Sequence, residues 1–241
     1  MVKAWVMEWL WRLDLQMHVV RQVEELLNAD EAASLPEADL QILHGQLLLM
    51  RAQEAYFNNQ TTQAIDLCRR VLTLVPPTWK YVHTGAMLYL SFSLQSSGQA
   101  LEAERFLLTE YDSCPEKMDA YAARVIFPLC FNYFNSGQLA QTRKIAELVH
   151  QTADRIGLAV LKSWGNYYSG VVLYQWNELE MAEKHLLRVV ENPYTAQIIS
   201  YRNAAACLAL IHQSQGRSTE AWQLVESISH ETIRQTLKKT G

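Results

Sequence analysis

Asn59, Gly98, Gly137, Asn177 and Gly216 recur at spacings of 39, 39, 40 and 39 residues, and this period limits the fold more than any other feature. Asn and Gly are the residues that most readily take the left-handed backbone conformation that closes a helix. A small side chain stands seven positions before each of them: Ala52, Ser91, Cys130, Gly170 and Ala209. Five positions after each come Ala64, Ala103, Thr142, Ala182 and Ala221. Small residues on both sides of a chain reversal let two antiparallel helices approach closely. Each period therefore reads as one helical hairpin, and self-similarity at this length predicts a stack of hairpins.

Apolar residues spaced i, i+3, i+4 and i+7 run through nearly the whole chain, with no useful β-alternation. The pattern predicts hairpins over 37–58 with 61–75, 79–97 with 99–112, 116–136 with 138–156, 158–176 with 178–191, and 194–215 with 217–228. A divergent pair, 3–13 and 16–29, precedes them, and a final helix over 230–239 follows. One elongated domain over 1–241 is expected, with 1–36 as the divergent hairpin and loop, 37–228 as five repeats and 229–241 as helix and tail. Ser34-Leu35-Pro36-Glu37 has capping-box spacing with Pro in the first turn. Pro76-Pro77, Pro115 and Pro193 mark three further helix starts. Pro128 falls inside a helix, where it removes one backbone hydrogen bond and predicts a kink near Arg124.

Composition narrows the chemistry. The 21 basic and 25 acidic residues are interspersed, for a net charge of −4. Adjacent basic pairs occur only at Arg69-Arg70 and Lys238-Lys239, so direct nucleic-acid binding is not expected. Cys68, Cys114, Cys130 and Cys207 show no metal-ligand spacing, and the seven histidines form no HExxH. His150 and Asp154, one turn apart, read as a surface contact. With no nucleophile or phosphate-loop motif either, neither catalysis nor a cofactor is expected, and an enzyme would need a site assembled from scattered residues. The apolar opening around Trp5, Trp9 and Trp11 is interrupted by Glu8 and ended by Asp14, and reads as a packing helix rather than a signal peptide or membrane span. Such a helix is a poor solvent cap for a repeat array, so the chain reads as a segment of a longer protein, docked at that end. A reducing, cytoplasmic setting is expected.

The spacing of small residue, turn residue and Ala resembles the tetratricopeptide repeat, whose usual period is about 34 residues. The longer unit here is similar to the repeat region of MalT-like bacterial regulators, in which a signalling ATPase module precedes the repeats and a LuxR-type DNA-binding domain often follows. Leu43 to Leu72, Tyr89 to Leu108 and Gln175 to Val190 carry the resemblance best, and it spans about residues 14–228. It implies an all-α, right-handed α-α superhelix of about six hairpins. The chain has no GxxxxGK[ST] loop and no basic helix-turn-helix segment. ATPase and DNA-binding neighbours would therefore lie outside these residues.

The resemblance places the first helix of each hairpin on the concave surface. Its candidate contacts are Gln53, Tyr56, Phe92, Gln95, Arg124, Phe127, Phe131, Phe134, Asn135, Trp164, Tyr167, Tyr174, Gln175 and Gln213. Rings give apolar area with few rotamers to freeze, and amides donate and accept together. This lining suits a small neutral ligand, a saccharide or peptide, or a protein partner. The competing reading makes Phe127, Phe131 and Phe134 packing core. Only Arg124 is basic among the face positions, so a receptor for acidic tails is not expected. Two roles remain open: the sensor domain of a transcriptional or signalling regulator, or an adaptor that joins two proteins without switching.

Overall fold

The computed structural model describes residues 1–9, 12–27, 35–193, 195–196 and 198–228. Among these residues the protein is all-α, with no strand and no helix long and apolar enough to cross a membrane. The chain divides after Ser136 into two compact units. The first holds α1 (Val2–Trp9), α2 (Leu13–Leu27), α3 (Glu37–Phe57), α4 (Thr61–Leu74), α5 (Lys80–Ser96), α6 (Ala100–Ser113), α7 (Ala120–Ile126) and α8 (Pro128–Asn135). The second holds α9 (Leu139–Ile156), α10 (Ala159–Gln175), α11 (Leu179–Val190), α12 (Ile198–Ser214) and α13 (Ser218–Ser227). In each unit helices pack in neighbouring pairs, as the hairpin period predicts: α3 on α4 and α5 on α6 in the first, α10 on α11 and α12 on α13 in the second.

The turn residues act as predicted. Asn59, Gly98, Gly137, Asn177 and Gly216 have φ of 59°, 81°, 72°, 61° and 77°. The N–H groups of Gln60, Gln99, Glu178 and Arg217 reach back to the carbonyls of Ala55, Leu94, Leu173 and His212 at 2.8–2.9 Å. These bonds satisfy carbonyls that a helix end otherwise leaves open. No atom lies within 4 Å of where a Cβ on Gly98 would stand, so conformation alone requires glycine there. Gly98→Ala should lower stability by about 1–2 kcal/mol, and Gly98→Asn by less, as read from urea midpoints. Equal midpoints for wild type and Gly98→Ala would remove the left-handed conformation as the reason for the residue.

The small residues beside the turns are buried. Ala52, Ala64, Ser91, Ala103, Thr142 and Ala182 are all 0% exposed. A Cβ on Gly170 would come within 2.6 Å of Leu186 Cγ, so α10 and α11 are in contact at the distance its hydrogen allows.

Several boundaries differ from the sequence reading. The helix expected from 116 begins at Ala120, because Asp119 Oδ1 accepts from the Ala122 N–H at 2.7 Å and caps it there. The interruption due to Pro128 falls at Phe127, three residues beyond Arg124. Phe127 keeps helical angles (φ −53°, ψ −42°), and the Cys130 N–H bonds to its carbonyl at 2.9 Å. Pro36 is the N-cap of α3 rather than part of its first turn, with no side-chain cap. Ser34 and the helix expected over 230–239 lie outside the described residues. The sequence reading passed over Gly157, which closes α9 at φ 69° with Leu158 N–H on the Ala153 carbonyl at 3.1 Å. It falls between hairpins, where no other period has a counterpart among the described residues.

Candidate functional site

In the first unit α3, α5 and α7–α8 bring their rings together. On α5, Tyr81, Gly85, Leu88 and Phe92 follow helical spacing along one stripe, and Arg124, Phe127 and Phe131 do so on α7–α8. Phe92 meets Phe131 at 4.2 Å between ring centres, and Tyr56 meets Phe92 at 5.8 Å. Phe57 and Tyr89 extend the group, at 5.2 Å and 5.9 Å from Tyr56. Tyr56, Phe57 and Phe92 are half-buried against the core beneath them, and Phe131 is half-buried too. These rings are thus each packed in part and reachable by solvent in part.

The other candidates sort by burial. Phe127 is buried, 5% exposed, while Phe134, Gln95 and Arg124 are half-buried and Asn135 is exposed. Gln95 Nε2 donates to Ser136 Oγ at 3.4 Å. Asn135 Nδ2 donates to the Phe131 carbonyl at 2.8 Å. Burial holds the Tyr56 hydroxyl above its ordinary pKa, so it remains a neutral donor.

Gln53 departs most from the face reading. It is 2% exposed, its Oε1 accepts from Gln16 Nε2 at 2.9 Å, and its Nε2 donates to the Tyr89 hydroxyl at 2.6 Å. Gln16 belongs to α2, so the divergent first hairpin covers this part of α3. Trp5 on α1 does the same seven residues earlier on α3: its Nε1–H donates to Gln46 Oε1 at 2.9 Å, and its ring stands edge-on to Tyr81 at 5.1 Å. The open part of the face begins beyond these contacts. Tyr81 was missed from sequence, although its place one turn before Gly85 was the available signal.

The second unit has its own set. Trp164 is buried, 6% exposed, and Tyr167 and Tyr174 are half-buried. Gln175 and Gln213 are exposed, and Asn203, Ala206 and Leu210 continue an exposed stripe on α12 with Gln213. Tyr167 packs edge-on to Tyr168 at 4.9 Å and accepts from Asn203 Nδ2 at 3.2 Å. Burial raises its hydroxyl pKa.

Among the described residues no group of three or more His, Cys, Asp or Glu side chains comes together to hold a metal ion. Cys68, Cys114 and Cys130 are buried free thiols and Cys207 is half-buried; burial pushes Cys68 up to about 12. His150 and Asp154 form the contact their spacing predicts, at 3.3 Å.

The half-buried rings of the first unit thus come from the first helices of consecutive helical hairpins. A family model described as the MalT-like TPR region matches residues 45–236. No curated protein matches the chain.

Proposed function

The chain belongs to the MalT-like TPR family, and on that premise we propose that it holds an extended segment of a partner protein on the ring face of its first unit. The observation that carries this reading is the contact of Tyr56, Phe92 and Phe131 across three successive hairpins, each ring half-open to solvent. An extended chain can lay apolar side chains on such rings in sequence, at small entropic cost to the rings. The unit would serve a bacterial transcriptional or signalling regulator, with ATPase and DNA-binding modules elsewhere in the assembly. Binding would shift that assembly between states by its difference in affinity for them. Free, mostly buried cysteines fit a reducing cytoplasm. The role is recognition without turnover.

A second reading draws on the other unit. Tyr167 and Asn203, joined at 3.2 Å, put a ring beside an amide, a pairing that suits a neutral saccharide.

The test is thermal unfolding against linear oligosaccharides and N-acetylated Leu/Phe tetrapeptides, since a ligand of the native state raises the midpoint by mass action. The peptides should raise it saturably, and Phe131→Ala should weaken that binding by about 30-fold or more with helical circular dichroism unchanged. Phe131→Leu keeps apolar bulk, removes the ring, and should weaken binding without a folding defect. Normal binding by both variants defeats the ring-face reading. A saccharide response abolished by Tyr167→Ala would support the second reading instead.

A further inference from the structure

In the second unit α10 packs on both α9 and α11, and two of its residues, adjacent in sequence, each meet a histidine of a neighbouring helix. A Cβ on Gly165 would stand 2.9 Å from His150 Cβ of α9, and Asn166 Oδ1 accepts from His185 Nδ1 of α11 at 3.0 Å. Cations accompany this pair. Arg143 lies seven residues before His150 on α9, Lys162 reaches Asp154 from α10, and Arg188 follows His185 by three on α11. Two carboxylates answer three cations. Glu147 accepts from Arg143 Nε at 2.8 Å, while Asp154 takes both Lys162 and His150 Nε2, the latter at 3.3 Å. Arg188 makes no ion pair among the described residues.

Two polar atoms of the cluster are shut off from solvent and bond to nothing among the described residues: Arg143 Nη1 and His150 Nδ1. The side chains that carry them still reach the surface, at 21% and 23% exposed. Arg143 Nη1 is a donor. His150 turns Nε2 to a carboxylate, so that nitrogen carries the hydrogen and Nδ1 is an acceptor while the ring is neutral. Burial outweighs Asp154 and, with Lys162 and Arg188, holds the His150 pKa below its ordinary value, which favours the neutral ring near pH 7. His185 is held down to about 4, by burial first and then by the charges of Arg143, Arg188 and His150. A group that satisfies both unpartnered atoms must accept from one, donate to the other and bring negative charge. An ionised carboxylate or sulfate only accepts. Phosphate does both, through its P–O⁻ oxygens and its P–OH.

We propose that this α9–α10–α11 cluster binds a phosphate group, with Arg143 Nη1 donating to a P–O⁻ oxygen, the P–OH donating to His150 Nδ1, and Arg188 supplying the positive charge that no carboxylate balances. The Glu147 carboxylate, 51% exposed, gives way to the incoming oxygen, since an ion pair open to water costs little to part. The cations come mainly from the second helices of two hairpins, away from the rings of the first unit, so the site is independent of the ring-face reading. The phosphate is either the free ion or the monoester of a small molecule, and the contacts are the same.

The experiment follows the histidine ring-proton resonances of the full chain by NMR at about pH 6.5 and constant ionic strength, with inorganic phosphate, methyl phosphate, sulfate or chloride added. Inorganic phosphate or methyl phosphate should shift His150 and His185 saturably, with half-saturation at about 10 mM or less, and leave the exposed His18 of α2 unmoved. Sulfate and chloride should bind about tenfold or more weakly. Arg143→Gln should weaken phosphate binding by about tenfold or more, and Arg188→Gln, at an exposed position, by about threefold or more. Whichever of the two phosphates binds more tightly identifies the source of the group. Sulfate binding as tightly as phosphate, affinity unchanged in both variants, or no saturable shift in wild type overturns the site. If Arg143→Gln loses its helical circular dichroism, Arg188→Gln decides: full phosphate affinity there overturns the proposal, and weakened affinity supports it.

Discussion

Gly165→Val is expected to destabilise the second unit by about 3 kcal/mol or more, one of the two largest effects anticipated in this chain. A Cβ on Gly165 would stand 2.9 Å from the Ala146 carbonyl oxygen, 2.9 Å from His150 Cβ and 3.2 Å from His150 Cα. These are backbone and near-backbone atoms of α9, so no side-chain rotation can make room. On another side of α10, a Cβ on Gly170 would stand 2.6 Å from Leu186 Cγ of α11. The helix is confined between two neighbours by two glycines five residues apart. Replacing Gly in a helix recovers some intrinsic helix preference, roughly 0.5 kcal/mol, which is too small to offset the overlap. Urea unfolding followed by circular dichroism reads the change directly. A loss below about 1 kcal/mol would mean that α9 and α10 separate easily, and the close approach would lose its role in stability.

The second large effect is at Gln53, and it separates stability from binding. Gln53→Ala should cost about 3 kcal/mol, since Gln16 loses its acceptor, the Tyr89 hydroxyl loses its donor, and the shortened side chain leaves a cavity. All three residues are buried: Gln16 is 1% exposed, Gln53 2% and Tyr89 7%. Peptide binding, measured well below the unfolding midpoint, should stay close to that of wild type. This is the opposite of the behaviour expected for Phe131→Ala. If Gln53→Ala instead abolished binding and left stability intact, Gln53 would be a contact residue, as its place in the repeat suggested.

Gln53 and Gln213 show where sequence reading stops. Counting back from the turn puts both on the same face, Gln53 six positions before Asn59 and Gln213 three before Gly216, and both are amides. One is sealed beneath α2 and bonded on both sides, while the other is exposed on α12. The difference comes from Gln16, 37 residues away on a hairpin that departs from the repeat pattern. Similarly, Phe127 and Phe131 lie four residues apart on one stripe, yet one is core and the other half-open. A single ring sequence supports both readings until the neighbouring helix is in place.

The hairpins, their turns and the pairs of small residues that let helices meet are legible in the chain alone. These depend on local physics: the sign of φ that a residue tolerates, and the volume of a side chain beside a turn. The family is legible there too. Tertiary contacts settle the rest: which face positions are reachable, that Trp5 and Gln16 cover the first repeat, and that Arg124 meets a ring in place of an acid. Burial and hydrogen-bond partnership belong to pairs of residues far apart in the chain, so no local pattern encodes them.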